Sequence, residues 1–252
     1  MPQPVAGVLL AAGGGSRLGQ PKALVVVGGQ TLAHRGIALL RAGGTDPVIV
    51  VTGATGPDSI GDGTPGADAG GDGAPSAGAP SAGAGSSDPG NAGPDAAEAG
   101  SGDADTSPRT CEPGLIRVHN PDWQTGMGSS VATGLGAVPA HCDAAVLALV
   151  DQPLISSGAV RRLLAAHAAG ASVAVSCYAG RPRNPVLIGR EHWPEVIALA
   201  VGDVGARPFR RAHPEIGTNV ECGDIGRPDD VDSPDDLARV EALLASATPF
   251  PA

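Results

Sequence analysis

The sequence predicts one three-layer α/β domain with a mostly parallel sheet, interrupted by a long insertion. Its 252 residues are enough for one large domain or two small ones. Short apolar or β-branched segments alternate along the chain with segments that carry apolar residues at helical spacing. Such alternation is typical of βαβ units, which form parallel sheets covered by helices on both faces.

One segment, residues 56–108, differs in composition from the rest of the chain. Its 53 residues include 14 Gly, 12 Ala, 7 Pro and 9 acidic residues, and it contains no Lys, Arg or aromatic residue. Ile60 is its only large aliphatic residue, so the segment cannot bury enough apolar surface to offset the entropy of ordering it. We therefore predict a disordered, low-complexity insertion at 56–108 and one domain formed by residues 1–55 and 109–252.

The remaining 199 residues predict a Rossmann-like order of strands and helices. Apolar and β-branched runs predict seven strands: Val5–Ala11, Val48–Thr52, Leu115–Val118, Ala144–Val150, Ser172–Tyr178, Val186–Ile188 and Thr218–Cys222. Helical spacing and end signals predict six helices: Leu32–Arg41, Ser129–Val138, Ser157–Ala169, Glu191–Ala200, Ala206–Ala212 and Pro234–Ala245. Ser233 is the expected N-cap of the last helix. Ligands bind such sheets at the carboxyl ends of the strands, so residues that follow strands are the functional candidates.

Charge and hydropathy exclude several classes of partner. The formal net charge of −10 argues against a nucleic acid or an anionic membrane surface. The insertion carries nine of the 26 acidic residues and no basic one, which leaves 17 acidic and 16 basic residues in the predicted domain. No apolar run approaches the roughly 20 residues of a membrane-spanning helix, and the first residues lack the basic region of a signal peptide. We therefore expect a cytoplasmic protein.

The most informative segment is the loop that follows the first strand. Three successive glycines at 13–15 allow the backbone to turn several N–H groups toward one anion. Arg17 and Lys22 add two positive charges to this loop, and Lys22 is the only lysine in the sequence. The spacing fits neither a Walker A loop, because Gln-Pro stands where Lys and Ser/Thr are needed, nor a dinucleotide-binding fingerprint. The loop therefore predicts a triphosphate site of another type.

Five segments, in order, resemble the motifs of the molybdenum-cofactor nucleotidyltransferases, a family with cytidylyl and guanylyl branches. The first is the loop LAAGGGSRLGQPKAL, and the others are Asn120–Ser130, Leu149–Pro153, Gly202–Arg207 and Asp230–Leu237. The resemblance covers nearly all of the 199-residue domain. It implies transfer of a nucleotidyl group from a nucleoside triphosphate with release of pyrophosphate. The Ala-Ala-Gly and Asp-Gln-Pro sequences resemble the cytidylyl branch, which favours CTP.

The resemblance implies a role for the first loop and for the residues at the end of the strand Ala144–Val150. Arg17, Lys22 and Asp151 are the expected catalytic residues. Mg²⁺ prefers oxygen ligands and retains several waters, so one or two carboxylates suffice to hold it. Asp151 and Asp232 are the expected Mg²⁺ ligands, with Asp230 as the alternative to Asp232. The expected nucleotide-binding residues are Leu10, Ala11, Ala12, Gly13, Gly14, Gly15, Arg17 and Lys22.

A further group of residues is expected to bind the acceptor substrate: Asn120, Gly128, Ser129, Ser130, Asn184, Asp203 and Arg207. Ser129 and Ser130 begin a predicted helix whose N–H groups favour anions, although plain N-capping gives the same pattern. Asp203 and Arg207 are expected to form an ion pair on the acceptor side. Residues 183–185 read Arg-Asn-Pro where cytidylyl-type members usually have Gly-His-Pro, which leaves the identity of the acceptor open.

The leading interpretation is transfer of CMP from CTP to a molybdopterin-type phosphate, with a transient contact to a molybdenum-containing oxidoreductase. Arg181 and Arg183 would then meet a second phosphate. Two alternatives stay open: transfer to a sugar phosphate or another phospho-acid, and a non-catalytic carrier of molybdenum cofactor. Neither a nucleic acid nor a membrane is an expected partner.

Overall fold

The computed structural model describes residues 4–56, 59–60 and 109–246, and for 109–112 it describes the backbone only. The greater part of the predicted insertion lies outside these residues. None of the described helices is both long enough and apolar enough to cross a membrane.

Eight of the ten described strands form one sheet, in the order β10-β8-β9-β7-β1-β4-β6-β5. Strand β1 lies between β4 and β7 and runs parallel to both, whereas β9 runs antiparallel to β7 and β8. The short strands β2 and β3 pair separately. The strand bounds are: β1 Val5–Leu10, β2 Val26–Val27, β3 Gln30–Thr31, β4 Val48–Thr52, β5 Arg109–Glu112, β6 Leu115–His119, β7 Ala144–Leu149, β8 Val173–Tyr178, β9 Arg181–Gly189 and β10 Gly217–Glu221.

Six helices cover the two faces of this sheet. Their bounds are: α1 Leu32–Gly43, α2 Met127–Gly136, α3 Ser157–Ala168, α4 Trp193–Leu199, α5 Arg207–Ala212 and α6 Pro234–Ser246. Successive residues of a strand point to opposite faces. In β1, Leu9 packs with α1, α3 and α6, whereas Val8 and Leu10 pack with α2, α4 and α5. The predicted three-layer α/β architecture with a mostly parallel sheet is therefore confirmed.

Strands β5 and β9 depart most from the predicted elements. Strand β5 was not predicted, and it pairs antiparallel with β6. Strand β9 spans nine residues, of which only three were predicted. Its first half is polar and contains two prolines, which do not indicate a strand in the sequence. A tight turn with positive φ at Ala179 and Gly180 pairs this half with β8. Pairing with a neighbouring strand therefore decides the structure here, against the local sequence preference.

Two helix starts show how end signals act. Ser233 caps α6 as predicted: its hydroxyl accepts a hydrogen bond from the Asp236 N–H, and the Asp236 carboxylate accepts one from the Ser233 N–H. Helix α2 begins at Met127, two residues earlier than predicted, because Gly126 adopts a φ of 119° and ends the preceding turn. The predicted start at Ser129 is therefore wrong by half a turn.

The first residues of the predicted insertion contribute to the core. Ile60 is 3% exposed and packs in the cluster that contains Leu9, Ile37 and Leu40. The boundary predicted at Gly56 is therefore too early, since one aliphatic side chain is enough to attach residues 59–60 to the domain. Residues 61–108 lie outside the described part of the chain, and the insertion predicted there stays a prediction.

We predict that Ile60→Ala lowers the free energy of unfolding by about 2–4 kcal/mol, because it leaves a cavity in this cluster. The measurement is urea unfolding followed by circular dichroism. The matched control is Val26→Ala, which shortens an aliphatic side chain that is 51% exposed and changes stability by less than about 0.5 kcal/mol. Equal effects of the two substitutions would contradict the packing of Ile60.

Candidate active site

The loop after β1 is fixed by backbone hydrogen bonds at the carboxyl edge of the sheet. The Ala11 N–H donates to the Val51 carbonyl at 2.9 Å, and the Ala54 N–H donates to the Ala12 carbonyl at 3.0 Å. Further along, the Lys22 N–H donates to the Gly13 carbonyl at 3.1 Å. The loop therefore closes on itself and returns Lys22 to the end of β1.

Gly15 is required for this closure. Its φ is +60°, and a Cβ at this position would lie 2.1 Å from the Gln20 carbonyl oxygen. Any other residue would be strained by the backbone conformation and would also clash. Gly15, which the sequence predicts to bind nucleotide, therefore determines the conformation of the loop.

The Lys22 side chain joins three distant segments of the chain. Its Nζ donates a hydrogen bond of 2.7 Å to Asp151 Oδ2, two residues beyond β7, and a second hydrogen bond to Asp232 Oδ1, just before α6. Burial lowers the pKa of Lys22, but the charges and hydrogen bonds of the two carboxylates outweigh burial and raise the pKa above its usual value. Lys22 therefore carries a positive charge between two carboxylates.

The same two carboxylates fit a divalent cation. Both approach a single cation position, which the Lys22 ammonium occupies. Asp151 Oδ1 is buried and has no hydrogen-bond partner, as expected of an oxygen available to a ligand. No group of three or more His, Cys, Asp or Glu side chains forms a metal site within the described residues. A metal ion here would therefore take Asp151 and Asp232 as its protein ligands and fill its other positions with water or ligand oxygens.

Asp230, the alternative metal ligand, is held by a different partner. Its Oδ1 accepts a hydrogen bond of 2.8 Å from Gln152 Nε2. Partial removal from water raises the pKa of Asp230, and the charges of Asp151 and Asp232 add to the increase, while Gln152 and Lys22 act against it. Of the two candidates for the second metal ligand, Asp232 therefore contacts Lys22, and Asp230 is held by Gln152.

A cavity of about 340 Å³, which we call the loop cavity, opens beside Lys22. Trp123 forms one wall and packs on Gly14 and Gly53. A Cβ on Gly14 would lie 3.1 Å from the Trp123 ring, and a Cβ on Gly53 would lie 2.6 Å from Trp123 Cβ and Cγ. Eight predicted site residues line this cavity: Leu10, Ala12, Gly13, Gly14, Lys22, Ser130, Asp151 and Asp203. Six further residues complete it: Trp123, Gln124, Gly126, Met127, Leu149 and Val150.

A second cavity of about 540 Å³, which we call the arginine cavity, adjoins the first. Met127, Leu149 and Asp203 line both cavities. The arginine cavity contains the predicted residues Asn184, Asp203 and Arg207, and four arginines in all: Arg183, Arg207, Arg210 and Arg239. Two binding volumes therefore meet at one wall.

The arginine cavity is lined by four arginines and by three aspartates, Asp203, Asp229 and Asp230, so its walls carry a small excess of positive charge. Arg239 is paired with Asp236, but within the described residues Arg183, Arg207 and Arg210 have no carboxylate within 4 Å. Burial lowers the pKa of Arg210, and its Nε has no hydrogen-bond partner. The expected ion pair between Asp203 and Arg207 is absent from the described residues, and that prediction is wrong, because both side chains are exposed at the cavity wall without meeting. The arginines are therefore available to an anionic ligand.

Asn120, Ser129 and Gly128 line neither cavity, but they contact the segments that form the cavity walls. Asn120 is 1% exposed, and its Nδ2 donates to Ser129 Oγ at 2.8 Å and to Ser130 Oγ at 3.0 Å. Gly128 packs directly on the segment that carries Asp203: its N–H donates to the Gly202 carbonyl at 2.9 Å. Of these residues only Ser130 lines a cavity, and the other three hold the walls in place.

Two other predicted residues lie away from both cavities. Ala11 is a core residue at 1% exposure, and its contribution is the backbone bond to β4. Arg17 is exposed, and its side chain has no hydrogen bond or ion pair with the described residues. The structure therefore brings Lys22, Asp151 and Asp232 together and leaves Arg17 apart from them.

Several residues line the cavities but were not among the expected site residues, including Trp123, Gln124, Met127 and Arg239. Trp123, Gln124 and Met127 fall within a motif that resembles the family, so a signal for them was present. Arg239 comes from α6, close to the end of the chain, and nothing in its local sequence distinguishes it from other exposed arginines of a helix.

We predict that Gly128→Ala lowers the free energy of unfolding by roughly 1–3 kcal/mol, because a Cβ there would lie 1.8 Å from the Ala200 carbonyl oxygen. The matched control is Gly136→Ala in the same helix, whose Cβ would meet nothing within 4 Å. That substitution should stabilise the protein by about 0.5 kcal/mol. Thermal unfolding measures both, and a stable Gly128→Ala protein would refute this role for Gly128.

Comparison with known proteins identifies the family. The model of the MobA-like NTP transferase domain matches residues 7–84 and 99–216. Nicotine blue oxidoreductase of Paenarthrobacter nicotinovorans is 33% identical over 245 residues, which are 94% of this chain and 96% of that protein.

Two solved structures have the same fold. The homologue of Rv0371c from Mycobacterium sp. strain JC1 has a TM-score of 0.66 and 24% identity, and covers 97% of this chain and 98% of its own. The manganese complex of Rv0371c from Mycobacterium tuberculosis has a TM-score of 0.63 and 19% identity, covering 96% of this chain and all of its own. Because the family model matches well over half of the chain and the relative covers 94% of it, this chain belongs to the MobA-like NTP transferase family, as the sequence motifs predicted.

Proposed function

We propose that this protein is a metal-dependent nucleotidyltransferase that transfers a nucleotidyl group to a phosphorylated small molecule and releases pyrophosphate. The observation that carries the proposal is the convergence of Lys22, Asp151 and Asp232 beside the loop cavity. A lysine and two carboxylates at the end of a glycine-rich loop are the charges needed to bind a triphosphate together with a divalent cation.

The loop cavity supports binding of the nucleotide. Gly13 and Gly14 present backbone along its wall, where no side chain prevents close approach. Trp123 offers an aromatic face to a nucleobase, and Ser130 offers a hydroxyl group. Arg17 projects from the same loop, from which it would cover the phosphates once they are bound.

The two carboxylates support binding of a divalent cation, for which we propose Mg²⁺. When bound, such an ion polarises the phosphate oxygens and neutralises the charge that develops as pyrophosphate leaves. Lys22 adds a positive charge to the loop cavity, and the closed loop fixes its backbone. These residues position and neutralise the triphosphate, which is most of what phosphoryl and nucleotidyl transfer require of a protein.

The arginine cavity supports binding of an anionic acceptor. Arg183, Arg207 and Arg210 provide guanidinium groups that match phosphate oxygens in pairs. Because this cavity shares a wall with the loop cavity, an acceptor phosphate bound there would lie beside the α-phosphate of the nucleotide. An ionised phosphate is already a nucleophile, so the site needs no strong base to activate it.

For the nucleotide we propose CTP, and for the acceptor a molybdopterin-type phosphate. The support is the resemblance of the Ala-Ala-Gly loop and the Asp-Gln-Pro segment to the cytidylyl branch. Asn184 lines the arginine cavity in place of the histidine of that branch and keeps its hydrogen-bonding capacity. A sugar phosphate is the alternative acceptor. A molybdenum-containing oxidoreductase would be the recipient of the product.

A second candidate function is suggested by one relative. The protein that is 33% identical over almost the entire chain is named nicotine blue oxidoreductase. In that case the two cavities would hold a redox cofactor and the substrate of an oxidoreductase. Two observations favour the transferase. The glycine-rich loop lacks the spacing of a dinucleotide-binding fingerprint, and Lys22, Asp151 and Asp232 provide the charges that bind a triphosphate with a divalent cation.

The experiment mixes the protein with Mg²⁺ and each of CTP, GTP and ATP, together with molybdopterin or a panel of sugar phosphates, and measures pyrophosphate. We expect release with CTP and molybdopterin. Binding of the acceptor without pyrophosphate release with any nucleotide would support a carrier, and redox turnover of nicotine blue would support the oxidoreductase. Either result would overturn the proposed function.

We predict that Asp151→Asn lowers kcat by at least about a hundredfold, because it removes a proposed ligand of the cation. The matched control is Asp235→Asn, which removes one carboxylate from the first turn of α6, outside both cavities. Pyrophosphate release is the readout, with circular dichroism to verify the fold. Undiminished activity of Asp151→Asn would exclude a metal role for this residue.

We predict that Arg207→Gln raises the KM for the acceptor roughly ten- to hundredfold, because it removes a charged hydrogen-bond donor from the arginine cavity. Arg211→Gln is the control, since Arg211 belongs to the same helix α5 but lines neither cavity. The KM for the nucleotide should be unchanged in both variants. A rise that is confined to the nucleotide KM would reverse the assignment of the two cavities.

A further inference from the structure

The position of the Lys22 ammonium has a consequence for how the cation binds. Lys22 Nζ contacts Asp151 Oδ2 at 2.7 Å and also contacts Asp232 Oδ1. These are the two carboxylates that fit a divalent cation, and the ammonium lies where they converge. The Lys22 ammonium and a divalent cation therefore compete for the same position between the two carboxylates.

Charge arithmetic shows why this competition matters. The two carboxylates and the ammonium together carry a charge of −1, which is a weak site for a divalent cation, whereas the carboxylates alone carry −2. A metal ion that entered with the ammonium still in place would have a like charge at contact distance, which is strongly unfavourable in a partly buried site. Metal binding therefore requires the ammonium to leave.

The chain provides the ammonium with a second place to go. Lys22 lines the loop cavity, and its backbone is fixed by the bond from its N–H to the Gly13 carbonyl. Four flexible side-chain bonds allow Nζ to move while the backbone stays in position. A triphosphate in the loop cavity would offer oxygens to the displaced ammonium. Without a triphosphate, the ammonium would exchange its two carboxylate partners for water.

We propose that Lys22 is a placeholder for the divalent cation, holding Asp151 and Asp232 in the nucleotide-free protein and transferring to the triphosphate when the metal enters. Metal ion and nucleotide consequently bind with strong positive cooperativity, and the metal alone binds weakly. The inference rests on the proposed binding of a triphosphate in the loop cavity and adds to it the exchange of one cation for another.

Two substitutions test the competition. Binding of Mn²⁺ alone is measured by electron paramagnetic resonance on the wild type, Lys22→Gln and Arg17→Gln. Lys22→Gln should bind Mn²⁺ about tenfold or more tightly than the wild type, because the competing ammonium is gone. Arg17→Gln removes the same charge from the same loop but touches neither carboxylate, so its Mn²⁺ affinity should equal that of the wild type. Equal Mn²⁺ affinity of the wild type and Lys22→Gln overturns the proposal.

A second measurement follows the ammonium itself and needs no substitution. Because Lys22 is the only lysine, full-length protein labelled with [¹⁵N]lysine gives a single side-chain NH₃⁺ signal in the NMR spectrum. This signal should shift when Mg²⁺ and α,β-methylene-CTP are added together, with the same midpoint as metal binding. A metal site that fills while the Lys22 signal stays unchanged overturns the proposal.

The outcome separates this inference from the proposed function. Pyrophosphate release is measured on the same wild-type sample with CTP and the acceptor panel. Release of pyrophosphate with an unmoved Lys22 signal overturns only the exchange of cations. A displaced Lys22 signal without pyrophosphate release from any nucleotide supports the exchange and overturns the transferase.

Discussion

The ionic contact of Lys22 with Asp151 and Asp232 is the interaction on which the site depends. The three residues come from the loop after β1, the end of β7 and the start of α6, and the contacts span 129 and 210 positions of the chain. Each carboxylate would be unfavourable beside the other without a positive charge between them. One cation therefore holds together three segments that the fold brings to the same edge of the sheet.

The sheet explains why this edge carries the chemistry. Strands β1, β4 and β7 are parallel, so their carboxyl ends meet and the segments that follow them become neighbours. The glycine-rich loop, Gly53 with its covering Trp123, and Asp151 all lie there. On one side the loop cavity combines the glycine backbone with the ring of Trp123 and the Lys22 ammonium, which suits a nucleotide. On the other side the arginine cavity contains three arginines that form no ion pair within the described residues, which suits an anionic acceptor.

The sequence was sufficient for the three layers and for most of the loop cavity, because strand and helix patterns are local and the glycine-rich loop is contiguous. It was insufficient where distant segments meet. The polar half of β9 becomes a strand only through pairing with β8, and Ile60 belongs to the core despite its low-complexity surroundings. In the site, the motifs named Lys22, Asp151 and Asp232, but the contact of Lys22 with both carboxylates is a property of tertiary structure. The expected pair of Asp203 and Arg207 failed for the same reason, since closeness in sequence does not orient two side chains toward each other.

In the proposed exchange, Asp151 and Asp232 bind one cation, which is Lys22 before the nucleotide binds and a metal ion afterwards. The most direct measurement is a crystal structure of the complex with Mn²⁺ and α,β-methylene-CTP, with the metal located by its anomalous scattering. The exchange of cations predicts an anomalous peak between Asp151 and Asp232, with Lys22 Nζ on the phosphate oxygens. A nucleotide in the loop cavity with Lys22 still between the two carboxylates, or a metal bound to neither of them, would contradict it.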